Sequence, residues 1–263
     1  MSAPRYLGLH LLQPLALVGS PRPSVVAELD PDGLLVGLTE CGPDEAVLAA
    51  VGGAPGVLAV DAPLAVPNAA GRRDAESVLA WLDVTVFPTS RRRLEQLAGG
   101  VRGEALLPSL SAPGRTVVEA VPDLVLRQVA WEAGHPADAP AMELAAYRAA
   151  WLGLRAPRYR PKGAGRAHPE GLRAAHAILS RVVDFGGWAP RDRDGDWGSI
   201  TDAAVLDAVA CAYAALRLGT APQRCLVLGT PERGVIATPA DANLLGRAAV
   251  NLERLRAEGS IAI

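Results

Sequence analysis

The feature that most constrains the fold is a run of β-forming residues that stops on a carboxylate and a proline: Val57-Leu58-Ala59-Val60-Asp61-Ala62-Pro63-Leu64. A continuous apolar run offers no polar face to solvent, so such a strand must be covered on both sides, as central strands of parallel or mixed sheets are. Upstream, the stretches Tyr6 to Leu12, Ser24 to Leu29 and Leu34 to Leu38 read as strands, and Asp30-Pro31-Asp32-Gly33 suits a tight hairpin between the last two. Pro43-Asp44-Glu45 opens a short helix through Val51, because proline and acids both suit a first turn, and Gly52-Gly53 ends it. Strand, helix, strand in that order predicts a parallel crossover joined to an antiparallel meander, and hence an α/β chain with a mixed sheet.

The rest of the chain is mainly helical. Helical patterns run from Asp74 to Leu82 and from Ser90 to Leu97, followed by a Gly- and Pro-rich loop and a strand from Arg115 to Val121. Helices resume from Asp123 to Glu132 and from Ala141 to Leu152. The segment from Arg155 to Arg173 carries Arg155, Arg158, Arg160, Lys162, Arg166 and Arg173 among glycines and prolines, and reads as a mobile basic loop running into a helix. A helix from Thr201 to Leu216, strands at Cys225 to Leu228 and Gly234 to Ala237, and a last helix from Pro239 to Glu258 complete the pattern. No internal repeat is visible, and 263 residues with 50% hydrophobic content suit one elaborated domain, with an insertion somewhere within 65–200.

Composition narrows the function classes. A net charge of −2 excludes a globally basic nucleic-acid binder but leaves room for a local basic face. Three widely spaced cysteines, Cys41, Cys211 and Cys225, fit a reduced, cytoplasmic protein. Tyr6 to Gly19 has the apolarity of a signal peptide, but Pro14 interrupts it, and no other stretch reads as long enough to span a bilayer. There is no Gly-x-Gly-x-x-Gly after a strand, no phosphate loop, no Gly-x-Ser-x-Gly turn, no His-Glu-x-x-His and no paired zinc cysteines.

An ordered set of motifs resembles a known family. Val60-Asp61-Ala62-Pro63-Leu64, then Gly71-Arg72-Arg73-Asp74-Ala75-Glu76, Val118-Glu119-Ala120-Val121-Pro122, Leu206-Asp207-Ala208-Val209-Ala210-Cys211-Ala212 and Gly234-Val235-Ile236-Ala237-Thr238-Pro239 resemble the predicted-nuclease family called domain of unknown function 429. The resemblance implies a ribonuclease-H-like fold: a mixed five-stranded sheet flanked by helices, here with a helical insertion and a C-terminal strand and helix extension. It also implies an active site where carboxylates from the first strand, the fourth strand and a late helix converge.

Two-metal phosphodiester cleavage needs converging carboxylates that hold cations about 3.5–4 Å apart. Asp61, Asp207, Asp202 and Glu119 could supply oxygen ligands for Mg2+ or Mn2+, with Asp61 and Asp207 as the metal ligands and Glu119 as a third catalytic acid. Asp202 and Asp207 are five residues apart, roughly 500° around a helix, so they point some 140° away from each other. Asp207 is therefore the ligand, and Asp202 a helix cap or a supporting group. Arg72, Arg73 and Arg91 could bind phosphate; a solvated face paired with neighbouring acids is the alternative.

One position departs from the pattern. Where the family's first strand carries an acid, Tyr6-Leu7-Gly8-Leu9-His10 presents His10, and an imidazole cannot bridge two magnesium ions as a carboxylate does. The expectation is a metal-dependent nuclease or phosphodiesterase, weak or inactive because of His10. The alternatives are a non-catalytic member of the fold that binds nucleic acid or a protein, and, ranked last, an actin-like nucleotide-binding enzyme. Asp192, Asp194 and Asp196 around Gly195 resemble half a calcium loop but read as a turn, because the twelfth position is Ala203.

Overall fold

The computed structural model describes residues 3–12, 23–84, 86, 88–135, 141–160, 168–191 and 198–261. The acid-rich turn at 192–196 and the loop residues Lys162 and Arg166 fall outside them. The expected meander forms from β1 (Arg5–His10), β2 (Ser24–Leu29) and β3 (Leu35–Cys41), with β2 antiparallel to both neighbours. Gly33 turns the hairpin at φ 86°, a conformation that a residue without Cβ adopts freely. Helix α1 (Asp44–Val51) stops at Gly52, φ 61°, and leads to β4 (Gly56–Val60), which lies parallel to β1.

Helices α2 (Asp74–Trp81), α3 (Arg91–Ala98) and α4 (Arg102–Leu110) precede β5 (Arg115–Glu119). The stretch read as a Gly- and Pro-rich loop is thus largely helix α4. Gly103 and Pro108 count against a helix by propensity, but Leu106 and Leu110 bury in the core, and a Cβ on Gly103 would sit 2.2 Å from the Pro63 carbonyl oxygen. Tertiary packing overrides propensity there. The chain continues through α5 (Pro122–Gly134), α6 (Leu144–Gly153), α7 (Pro169–Leu179), α8 (Gly198–Thr220), β6 (Cys225–Leu228), β7 (Ile236–Pro239) and α9 (Ala242–Ala257).

The sheet order is β3-β2-β1-β4-β5-β7-β6. Among the described residues it holds seven strands rather than five, because the C-terminal pair joins the same sheet: β7 runs parallel to β5, and β6 antiparallel to β7. Alternation along the central strands sorts their side chains between two faces. Tyr6, Val57 and Ala59 enter the core under α8, whereas Leu7, Leu9, Leu58 and Val60 pack on the side of α1 and α4.

Helix α8 lies directly on β1. A Cβ on Gly8 would come 1.9 Å from the Ala208 carbonyl oxygen and 2.2 Å from the Ala212 nitrogen, so the missing side chain is what lets the helix backbone reach the strand. The segment Thr201–Thr220 is long and apolar enough to cross a membrane, with a mean hydropathy of 1.4, but 78% of that window is buried inside the fold. Its apolar circumference is the mark of a core helix.

Candidate active site at the ends of the central strands

Register determines which strand-end side chains meet. In the parallel pair, Leu9 lies opposite Val60 and the Asp61 N–H donates to the Leu9 carbonyl at 2.8 Å. His10 and Asp61 are therefore the next residues out on adjacent strands, on the face where Gly8 and Ala59 meet α8. His10 Nδ1 lies 3.0 Å from Asp61 Oδ2. The close approach at Gly8 brings in Asp207 from α8, whose Oδ2 is 3.5 Å from the same nitrogen. One ligand atom from each of His10, Asp61 and Asp207 lies within 4.8 Å of the other two, so a single ion could touch Asp61 and Asp207 together.

Asp207 is 1% exposed and already held on both oxygens. The Tyr159 hydroxyl donates to Oδ1, and the Arg160 guanidinium forks the carboxylate, Nε to Oδ2 at 2.8 Å and Nη2 to Oδ1 at 2.6 Å. Arg160 Nη1 reaches Asp123 Oδ1 at 2.7 Å from the first turn of α5. Burial lifts the Tyr159 phenol well above its usual range, so it remains a donor. Burial pushes the His10 imidazole down, but the hydrogen bond to Asp61 and the charges of Asp207 and Asp61 outweigh it and favour the imidazolium. Asp61 is shifted upward, first by burial and then by repulsion from Asp207, against the pull of His10.

Glu119 does not join this cluster, and the pleat explains why. It pairs with Val60, so it leaves the sheet on the opposite face from Asp61. There Arg73 forks it, Nη1 to Oε1 and Nη2 to Oε2, both at 2.7 Å, while the Leu64 N–H donates to Oε1 at 2.8 Å. Arg73 also donates from Nε to Glu76 at 2.9 Å and from Nη1 to the Ala65 carbonyl at 2.9 Å. With its guanidinium saturated and its side chain buried, Arg73 is a structural cation rather than a free phosphate contact.

The remaining expected residues also have definite places. Arg91 pairs with Glu104 at 2.8 Å and donates to the Val66 carbonyl, and Arg72 is exposed. Asp202 is not a helix cap, since α8 begins four residues earlier; its buried carboxylate accepts the Arg191 N–H at 2.8 Å. Tyr159 and Arg160, in a stretch whose composition predicts a mobile loop, are held in place. Tyr159 is fully buried, and the backbone at Arg158 lies so close to α7 that a Cβ on Gly171 would fall 2.1 Å from the Arg158 carbonyl oxygen.

These groups line a cavity of ≈ 380 Å³ that includes His10, Asp61, Glu119, Asp123 and Arg160. The donor set, an imidazole nitrogen and two carboxylate oxygens, could hold one divalent cation once His10 is neutral and Arg160 yields an oxygen of Asp207. It does not suit a pair of hard ions, because Glu119 is held by Arg73 and the first-strand ligand is an imidazole. Comparison with family models, with curated proteins and with solved structures finds no match.

Proposed function

We propose that this chain is a nuclease-like phosphodiester hydrolase of ribonuclease-H-like build, related to the predicted-nuclease family domain of unknown function 429, and weak or inactive in two-metal chemistry because of His10. The observation that carries the reading is the convergence of His10 from the first strand, Asp61 after the fourth strand and Asp207 from the late helix on one cluster, of which His10 and Asp61 face the cavity and Asp207 lies buried behind them. A divalent ion bound there would polarise a phosphoryl oxygen and activate water. The protein's own groups bind and orient. With no ion bound, protonated His10 and the N–H groups of Arg160 left unengaged among the described residues present positive donors to a phosphoryl oxygen, while Asp61 fixes the imidazole and Asp207 fixes the guanidinium.

The fork of Arg160 on Asp207 also supports a binding role without catalysis, since it gives the acid a permanent protein cation. Cleavage assays with Mn2+ on mixed RNA and DNA, with Mn2+ binding measured alongside, using wild type, Asp207→Asn, His10→Asp and the His10→Asp/Asp207→Asn double variant, separate the two. Hydrolysis unmasked by His10→Asp and removed by the second change supports the degenerate-nuclease reading. Robust wild-type cleavage abolished by Asp207→Asn would refute the inactivity, and no Mn2+ binding in any variant would leave binding as the function.

A further inference from the structure

A second and larger concavity, ≈ 600 Å³, adjoins the cavity just described and shares Asp123 and Arg160 with it as a common wall. Four arginines line it: Arg127, Arg155, Arg158 and Arg160. Its two acids are already neutralised, Asp123 by Arg160 and Asp83 by Arg148 and Arg247. Arg155 and Arg158 are exposed, and neither pairs with a carboxylate among the described residues. Arg127 donates to the Asp83 and Trp151 carbonyls and stacks 4.1 Å over the Trp151 ring, yet among the described residues its buried Nε has no partner. The lining therefore carries an excess of positive charge beside apolar surface from Val84, Leu124, Leu152 and Leu154.

We infer that this groove binds a single-stranded oligonucleotide, with its phosphates on Arg155 and Arg158 and its bases against the apolar wall, and that it leads the strand to His10, Asp61 and Asp207. The inference rests on the phosphodiester reading of the adjoining cavity and names its substrate class. Guanidinium forks match phosphate oxygens, and guanidinium planes also stack on bases. A concavity of this volume, within the roughly 300–1,000 Å³ of small-molecule sites, admits unstacked nucleotides one after another. A duplex keeps its bases paired and has none to offer the apolar wall. Arg160 links the two cavities: among the described residues, one N–H on each terminal nitrogen remains unengaged after Asp207 and Asp123 are satisfied. A phosphate at the junction would meet those donors beside His10.

The test is fluorescence anisotropy of a labelled 12-mer, as oligo-dT and oligo-U, in EDTA so that no metal contributes, across a salt series. Wild type is compared with Arg155→Gln/Arg158→Gln, whose positions are exposed and compatible with an intact fold, and with Arg181→Gln, which lies outside the groove. The expected result is wild-type binding that weakens with salt, at least about tenfold lost in the double variant at 50 mM salt, and a salt slope reduced by about 1.4, from roughly 0.7 per phosphate contact on a single strand. Arg181→Gln should match wild type, and a duplex of the same sequence should compete poorly. An unchanged affinity and slope in the double variant would overturn the groove assignment. So would full competition by inorganic phosphate at equal phosphate concentration, which would mark a single-anion site. Because the measurement needs no hydrolysis, binding lost in the double variant supports the groove even where no variant cleaves. Cleavage by His10→Asp with normal binding in the double variant would overturn the groove alone.

Discussion

Arg73 offers a sharp test of whether a buried arginine near the cavity holds the fold or holds a ligand. Arg73, Glu76 and Glu119 are 5%, 2% and 4% exposed, and the guanidinium lies between the two carboxylates with contacts of 2.7–2.9 Å to each. Replacing it with methionine fills similar volume but leaves two acids buried without their cation. Breaking a buried pair in this way costs about 3–5 kcal/mol, because an uncompensated charge remains. At roughly 2–4 °C per kcal/mol for a chain of this size, the melting temperature of Arg73→Met should fall by about 10 °C. The assay is thermal and urea unfolding of wild type, Arg73→Met, Glu119→Gln and the double variant. The double variant should recover at least about 1 kcal/mol relative to additivity, since neutralising Glu119 removes one of the orphaned charges. An Arg73→Met protein with wild-type stability but impaired phosphate or oligonucleotide binding would refute the structural assignment.

Two further perturbations probe the architecture that sets up the site. Gly8→Ala places a Cβ 1.9 Å from helix backbone, which cannot rotate aside, so we expect about 3 kcal/mol or more of destabilisation in urea unfolding; a loss under 1 kcal/mol would contradict the direct contact of α8 on β1. Asp83, in the left-handed conformation at φ 57°, is held below the usual carboxylate range: burial pushes it up, but hydrogen bonds from Arg247 and Arg148 outweigh that. Its stabilising contribution is complete above the unfolded value of about 3.9 and is lost as pH falls through the lower folded value. Asp83→Asn, which tolerates the same backbone conformation, should lower stability at neutral pH, and the difference from wild type should shrink as pH falls below about 3.9; a constant difference across the acid range would exclude the linkage.

How much of this was legible in the sequence follows from the range of the interactions involved. The meander, the crossover helix and the strand into Asp61 were readable because their signals are local: a turn at Gly33, a Gly52 stop, an uninterrupted apolar run. The convergence of the first-strand position, Asp61 and Asp207 was an implication of the family resemblance, not of any local signal, and the structure brings His10, Asp61 and Asp207 together. The pleat parity that turns Glu119 away from Asp61 depends on strand register, which no single stretch encodes. Helix α4 was hidden by Gly103 and Pro108, whose cost is outweighed only by contacts with the distant Pro63 segment and the core. Arg160 could not be distinguished from the other cations in its stretch, because what sets it apart is Asp207, 47 residues away. Its neighbour Tyr159 offered an aromatic in a basic stretch as a signal, but nothing local to say that it would be buried.

The central claim is that His10, Asp61 and Asp207 form one cluster in which the imidazole limits metal affinity. Manganese titration by calorimetry at pH 7.5 tests it most directly, with wild type, His10→Asp and His10→Asp/Asp207→Asn compared. The account predicts weak wild-type binding, affinity raised at least about tenfold by His10→Asp through the added carboxylate ligand, and reversal of that gain in the double variant. Equal manganese affinity in wild type and His10→Asp, or a gain that survives the loss of the Asp207 charge, would contradict it.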